Sequence, residues 1–183
     1  LLPLMYSREA IGLFEKVKGL FDPNDLLNPG VLVRPRPLDE DLRGQGAGWP
    51  AGLPAARKGL RLVHDGGDFG AAVHRCTGVG KCLAAPGVGV MCPSFQATRD
   101  EKSSTRGRAR VLQEMVDGRL VDGGWSSPEV HEALDLCLSC KGCLGDCPTG
   151  VDMATYKSEV LHQTYKGRWR PRGHYLLGRL PMW

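Results

Sequence analysis

Aromatic side chains make up only 7% of the 183 residues. Large rings are the heaviest contributors to buried area, so a chain this poor in them has a modest core. No stretch approaches the ~18 consecutive apolar residues of a membrane span. The net charge is only +4, and the basic stretch Arg106–Arg110 has no aromatics interleaved, which argues against nucleic acid as a partner. Most of the chain has no cysteine: none precedes Cys76 and none follows Cys147. The total is seven, an odd number at tight spacings with no secretory signal in view, so a disulfide framework is a poor fit and a reducing compartment is expected. There is no initiator Met. The chain opens Leu1-Leu-Pro-Leu and ends Leu-Pro-Met-Trp183 in mid-pattern, so it is expected to be a piece of a longer polypeptide. What is plentiful is glycine (25) and proline (13), the composition of a loop-rich fold.

The cysteines fall in two groups. The second reads Cys137-Leu-Ser-Cys140-Lys-Gly-Cys143-Leu-Gly-Asp-Cys147-Pro148. This is C-x2-C-x2-C-x3-C-P, the spacing of bacterial iron–sulfur sites. Three thiolates at three-residue intervals wrap one cluster. The fourth, followed by a proline that turns the chain away, serves a neighbouring cluster. A partner group is therefore required, and Cys76-Thr-Gly-Val-Gly-Lys-Cys82 with Cys92-Pro93 supplies it. There the middle cysteine is replaced by Val79, and the closing Cys-Pro comes after a nine-residue spacer.

Crossing the closing ligands gives two sites. Cys137, Cys140, Cys143 and Cys92 would hold one [4Fe-4S] cluster. Cys76, Cys82 and Cys147 would hold the other, with Val79 at an open corner. Valine does not ligate iron. The second cluster is then either [3Fe-4S] or a [4Fe-4S] cluster completed by His74, Asp146 or solvent. Zinc also binds four cysteines, usually as paired C-x2-C knuckles, which fit this run poorly. Gly78 and Gly80 bracket Val79, where they would let backbone N–H groups approach an inorganic sulfide.

Helical periodicity organises the flanks. Residues 7 to 21 form an amphipathic helix, with Ser7 as N-cap, Glu9 in the first turn, and Ile11, Phe14, Val17 and Leu20/Phe21 on one face. Asp22-Pro23 ends it. Residues 34 to 58, rich in proline and glycine, read as a linker in which Trp49 makes a docking contact. Leu60–His64 and Phe69–His74 around Asp65-Gly-Gly-Asp68 read as a small hairpin. A helix starts at Thr105 with Val111, Leu112 and Met115 inward. Arg106, Arg108 and Arg110 load its first turns with cations, against the helix dipole. That cost calls either for a nearby anion, such as the clusters, or for a solvated basic face. Ser127-Pro128-Glu129 opens another helix with Val130, Leu134 and Leu138 on one face. Asp152 opens a third, with Met153, Tyr156, Val160 and Leu161 as core. The class is mainly α, an α-helical ferredoxin-like dicluster module with helices clamping the cluster loops. The tail 166–183 mixes cations and aromatics. It is suited to continuing into another domain or to peripheral contact with the inner face of a cell membrane, in a cytoplasmic protein.

Two resemblances sharpen this. The helix followed by Phe21-Asp-Pro-Asn-Asp-Leu-Leu-Asn-Pro-Gly30 resembles the C-terminus of FAD-linked oxidases of the vanillyl-alcohol oxidase superfamily. The set Cys76-Thr-Gly-Val-Gly-Lys-Cys82, Met91-Cys-Pro-Ser94, Ser104-Thr-Arg-Gly-Arg-Ala-Arg110 and Leu134-Asp-Leu-Cys-Leu-Ser-Cys-Lys-Gly-Cys143 resembles fused flavin and iron–sulfur dehydrogenases. In these a glycolate-oxidase flavin subunit is joined to a cluster subunit of the glycerol-3-phosphate dehydrogenase C type. The resemblance implies three segments: residues 1–33 as the end of an FAD-linked oxidase domain, 34–58 as linker, and 59–183 as the iron–sulfur domain. It also implies FAD in an upstream flavin domain, and electron transfer during oxidation of a D-2-hydroxy acid such as D-lactate or D-2-hydroxyglutarate. No flavin-contacting or bond-making residue is assigned in this stretch, and Asn28 is read as an Asx-turn. Two rivals stand beside this reading. One is a stand-alone subunit like those of succinate dehydrogenase or heterodisulfide reductase, which the oxidase-like residues 1–33 count against. The other is a zinc-stabilised interaction module.

Overall fold

The computed structural model describes residues 2–40 and 62–182, apart from 86, 88 and 119. The chain divides into two compact units, Leu1–Leu42 and Arg43–Trp183. Most of the expected linker, with Trp49, lies outside the described residues.

The first unit holds α1 (Leu2–Met5) and α2 (Arg8–Phe21). Ser7 caps α2 by accepting from the Ala10 amide at 3.3 Å, as its sequence predicts. The stop is made by Asp22. Its carboxylate accepts from the amides of Leu26 and Leu27 at 2.9 and 2.8 Å and pairs with Lys18. The apolar stripe of α2 is formed but not covered within this unit: Val17, Leu20 and Phe21 are all exposed. The Lys18 ammonium, then the two amides, hold the Asp22 carboxyl at about 2, below its ordinary 3.8. A carboxyl depressed on folding stabilises above its unfolded value and stops doing so as pH falls through the folded one. The Leu26 and Leu27 amide shifts should therefore titrate with a midpoint near pH 2. A midpoint near pH 4 in an NMR titration would contradict this geometry.

The second unit is built from helices joined by loops, with no strand among its described residues: α3 (Phe69–His74), α4 (Pro93–Thr98), α5 (Thr105–Asp117), α6 (Pro128–Asp135), α7 (Gly142–Asp146), α8 (Met153–Thr164) and α9 (Arg172–Leu177). Helix α5 packs between α3 and α6 and also meets α8. Its Leu112 and Met115 are buried, as its periodicity predicts. Phe69 of α3 packs edge-on against Trp125 at 5.0 Å and Tyr156 of α8 at 6.0 Å. Burying a side chain such as Phe69 or Leu112 contributes about 1.5–3 kcal/mol. The Phe69, Trp125 and Tyr156 rings form one buried aromatic cluster in the core. Tyr156 also donates its hydroxyl to the Ala72 carbonyl at 2.7 Å, and burial raises its pKa above the ordinary value.

The expected hairpin is absent among the described residues, with Leu60 and Arg61 of its first arm lying outside them. Gly66 and Gly67 do make a left-handed turn at φ 59° and 75°, but a 3-10 turn (Val63–Asp65) precedes it and α3 follows. Asp68 accepts from the Gly70 amide at 2.7 Å and so caps a helix. Phe69, Ala72 and Val73 stand at i, i+3 and i+4, and all are fully buried. A five-residue apolar run fits either period, and the cap decided it. A second difference is Leu138, which is 71% exposed and outside the core. Helix α6 ends at Asp135, so helical spacing no longer aims residues beyond it. Leu161 is only half-buried, whereas Met153, Tyr156 and Val160 are core.

Candidate metal centre

Cys137 follows the last turn of α6, its amide bonded to the Leu134 carbonyl at 3.0 Å. The chain then winds through Ser139 and Lys141, both at positive φ (54° and 58°), into the short helix α7. Lys157 of α8 holds this loop from outside, donating to the carbonyls of Cys137 (2.7 Å) and Asp135 (3.2 Å). Lys141 does the same from within the loop, pairing with Asp152 at the start of α8 at 2.9 Å. The first cysteine segment leaves α3. Gln113 of α5 donates to the carbonyls of Val73 (2.9 Å) and Cys76 (3.4 Å) and fixes the exit path. Gly78 and Gly80 have φ of 82° and 81°, a conformation that glycine alone adopts without strain.

These loops meet over the N-terminus of α5 and form two pockets. One is lined by Cys92, Cys137, Cys140 and Cys143, and the other by Cys76, Cys82 and Cys147 together with Val79. The two are alike in size. Met91 and Thr105 line both and stand between them. Each closing cysteine thus sits with the other group's three positions. All seven cysteines are free thiols.

The electrostatics separate the cysteines into kinds. Burial pushes Cys82 and Cys143 up, although the Arg106 amide donates to the Cys82 sulfur at 3.3 Å. Burial would also raise Cys92 and Cys147. Hydrogen-bond donors outweigh it, and both thiols fall below their ordinary value. Thr149 Oγ1 is 3.2 Å from the Cys147 sulfur, and the amides of Val151, Thr149 and Gly150 add to it. Ser94 Oγ is 3.5 Å from the Cys92 sulfur but gives its proton to the Ser103 carbonyl at 2.7 Å, and the Arg108 guanidinium donates to that sulfur at 3.4 Å. Each closing cysteine therefore has a hydroxyl two residues on, in Cys92-Pro-Ser94 and Cys147-Pro-Thr149. Sequence reasoning missed both hydroxyls, and the repeated C-P-[ST] was the signal that would have found them. The donor set fits an iron–sulfur centre: soft sulfur groups from two loops line each pocket, with hydrogen-bond donors at sulfur, while among the described residues no three His, Cys, Asp or Glu side chains are grouped as the holder of a single metal ion.

The non-cysteine candidates do not join the three-cysteine pocket. The Asp146 carboxylate accepts from the amides of Val90 (2.7 Å) and Met91 (3.0 Å), which lowers its pKa, and so pins the Cys92 loop to the end of α7. Gly89 makes that approach feasible, because a Cβ there would lie 2.6 Å from Asp146 Oδ2. His74 Nδ1 lies 2.7 Å from its own helix's Gly70 carbonyl, Nε2 is buried without a hydrogen-bond partner, and the ring is not among the pocket's walls. Val79 lines the pocket and is 68% exposed. The three arginines of α5 diverge. Arg106 pairs with Glu101 at 3.1 Å, Arg110 pairs with Glu114 at 3.2 Å, and Arg108 points inward.

Residues 71–151 match the family described as the 4Fe-4S dicluster domain, and residues 1–32 match the C-terminal domain of FAD linked oxidases. The chain is 31% identical to a D-2-hydroxyglutarate dehydrogenase of Pseudomonas putida over 210 residues, which cover 96% of this chain and 20% of that protein. It is 28% identical over 215 residues to the D-2-hydroxyglutarate dehydrogenase of Escherichia coli, again 96% and 20%. It is 33% identical over 76 residues to the glycolate oxidase iron-sulfur subunit of Escherichia coli, covering 42% of this chain and 16% of that subunit. The chain spans about a fifth of the length of the first two. No solved structure matches it.

Proposed function

We propose that this chain, which joins the C-terminal end of an FAD-linked oxidase domain to a 4Fe-4S dicluster domain, is the electron-transfer segment of a flavin-dependent D-2-hydroxy-acid dehydrogenase. D-2-hydroxyglutarate is the favoured substrate, because dehydrogenases of that name align along 96% of the chain. The partner of the cluster module is a flavin domain in the same polypeptide. The exposed apolar stripe of α2 is the kind of face that the rest of such a domain would cover. Bound iron–sulfur clusters would supply one-electron redox chemistry. The chain's own residues hold thiolates, donate hydrogen bonds to them and limit water.

The observation that carries this reading is the interleaving of the two groups, with Cys92 beside Cys137, Cys140 and Cys143, and Cys147 beside Cys76 and Cys82. All seven cysteines serve as ligands. Asp146 Oδ2 accepts from two amides, and neither Asp146 nor His74 lines the pocket, so we read the three-cysteine cluster as having no fourth side-chain ligand among the described residues. It is a [3Fe-4S] cluster, or a [4Fe-4S] cluster open to solvent at Val79. No helix among the described residues is long and apolar enough to cross a membrane. The seven free cysteines suit a reducing compartment, and on that ground we place the protein in the cytoplasm, with any membrane contact peripheral.

Anaerobic purification with iron and sulfide analysis and EPR tests the proposal. The expected result is a brown protein with about seven to eight irons per chain. An EPR signal in the oxidised state would assign the three-iron form. A colourless protein holding zinc would refute the reading. Cys140→Ser should remove one cluster and block electron delivery to the acceptor. Full iron content with undiminished acceptor reduction would remove Cys140 from the ligand set.

A further inference from the structure

Arg108 is the largest fully buried side chain of the molecule's described residues, with 1% of its surface exposed. It lies in the second turn of α5 and lines the four-cysteine pocket. Its polar contacts join two other segments, α6 and the Cys92–Ser94 stretch at the start of α4. Nε donates to the Ala133 carbonyl of α6 at 2.8 Å, Nη2 to Ser94 Oγ at 2.8 Å, and Nη1 to the Cys92 sulfur at 3.4 Å. None of these partners is a carboxylate. A guanidinium stays charged inside a protein, and a buried charge is tolerated only where an opposite charge answers it. The sulfur of Cys92, as a thiolate, is the anion within reach. The Ser94 hydroxyl has one proton and donates it to the Ser103 carbonyl at 2.7 Å, so it faces Arg108 as an acceptor. That leaves Arg108 as the charged donor to Cys92. Among the described residues no arginine is seated this way at the other pocket. There Arg106 contributes its backbone amide to Cys82, while its side chain pairs with Glu101 near the surface.

We propose that Arg108 is a built-in electrostatic tuning residue for the four-cysteine site alone, resting on the reading that Cys92 ligates a cluster there. A fixed positive charge beside one thiolate favours the more negative, reduced state of whatever that thiolate binds, so it raises the reduction potential of that site relative to its neighbour. The two sites differ in potential partly because one has this buried cation and the other, among the described residues, does not. Arg108 acts through the Cys92 sulfur, so it positions and tunes and is not itself a ligand. Its contact with Ala133 also ties the helix that delivers Cys137 to the loop that delivers Cys92.

The test is an EPR-monitored potentiometric titration of the full-length protein containing this chain, in wild-type, Arg108→Gln and Arg108→Lys forms, with iron content measured on each. Arg108→Gln should keep its iron, lower the midpoint of one cluster only, and leave the other unmoved. Arg108→Lys should sit between Gln and wild type. Full iron content with both midpoints unmoved in Arg108→Gln would overturn the proposal, as would an equal shift of both. Should the Gln variant lose iron, the Lys variant decides. Retained iron at a near-wild-type midpoint upholds the role of the charge, and loss as complete as with Gln assigns Arg108 to shape alone. A wild-type protein without iron would instead sink the ligand assignment beneath it.

Discussion

Cys92→Ser should empty the pocket of Cys137, Cys140 and Cys143 and leave the distant-in-sequence Cys147 site loaded. Cys147→Ser should do the opposite, removing the cluster at Cys76 and Cys82 while the run in which Cys147 stands keeps its own. Serine is nearly the same size but lacks the soft sulfur donor that iron–sulfur cores take. Each variant should therefore lose about half of the iron, roughly three to four atoms per chain. EPR of the reduced and oxidised proteins would identify which cluster remains. The expectation comes from the walls of the pockets, where each closing cysteine faces the other group's three positions. It is sharp because the uncrossed arrangement predicts the reverse assignment for both variants. If Cys147→Ser strips the Cys137 pocket, the crossing is wrong, whatever the total iron content.

Much of this was legible in the residues. The C-x2-C-x2-C-x3-C-P spacing carries its own demand for a second group, and the folded chain brings both groups over one helix N-terminus. The caps at Ser7, Ser127 and Asp152 were equally readable, because a short oxygen-bearing side chain before an apolar period has one main use. Three things were not legible. Phe69-Gly-Ala-Ala-Val fits a strand or a helix by pattern, and only its capping Asp68 and its burial against Trp125 and Tyr156 settle it. Arg106, Arg108 and Arg110 looked alike in sequence, yet one is buried on a thiol and two pair with Glu101 and Glu114. A helical wheel gives the direction of a side chain but not what waits there. Asp146 looked like a ligand because it adjoins Cys147. Its carboxylate is instead committed to the Val90 and Met91 amides, more than fifty positions earlier in the chain, a contact that no local pattern announces.

Gly107→Ala should disable both pockets with one methyl group. Gly107 lies in the first turn of α5 with ordinary helical backbone, so local propensity favours alanine there by about 1 kcal/mol. Tertiary structure opposes it. A Cβ would stand 2.1 Å from the Glu101 carbonyl oxygen and 2.9 Å from both the Glu101 carbonyl carbon and Lys102 Cα. All three are backbone atoms, so no side chain can swing aside. The 3-10 turn Glu101–Ser103 must move or α5 must withdraw. Either shift breaks contacts that position cysteines: the Ser103 carbonyl accepts from Ser94 at 2.7 Å, the Arg106 amide reaches Cys82 at 3.3 Å, and Arg108 reaches Cys92 at 3.4 Å. Overpacking ordinarily costs about 1–3 kcal/mol, and a backbone clash belongs at or above the top of that range. The variant should melt at a clearly lower temperature and lose iron from both sites. Gly145→Ala is the control, since nothing lies within 4 Å of a Cβ there although it sits inside the second cysteine run. Wild-type iron content and melting temperature in Gly107→Ala would show that the turn and α5 do not approach as closely as the geometry requires.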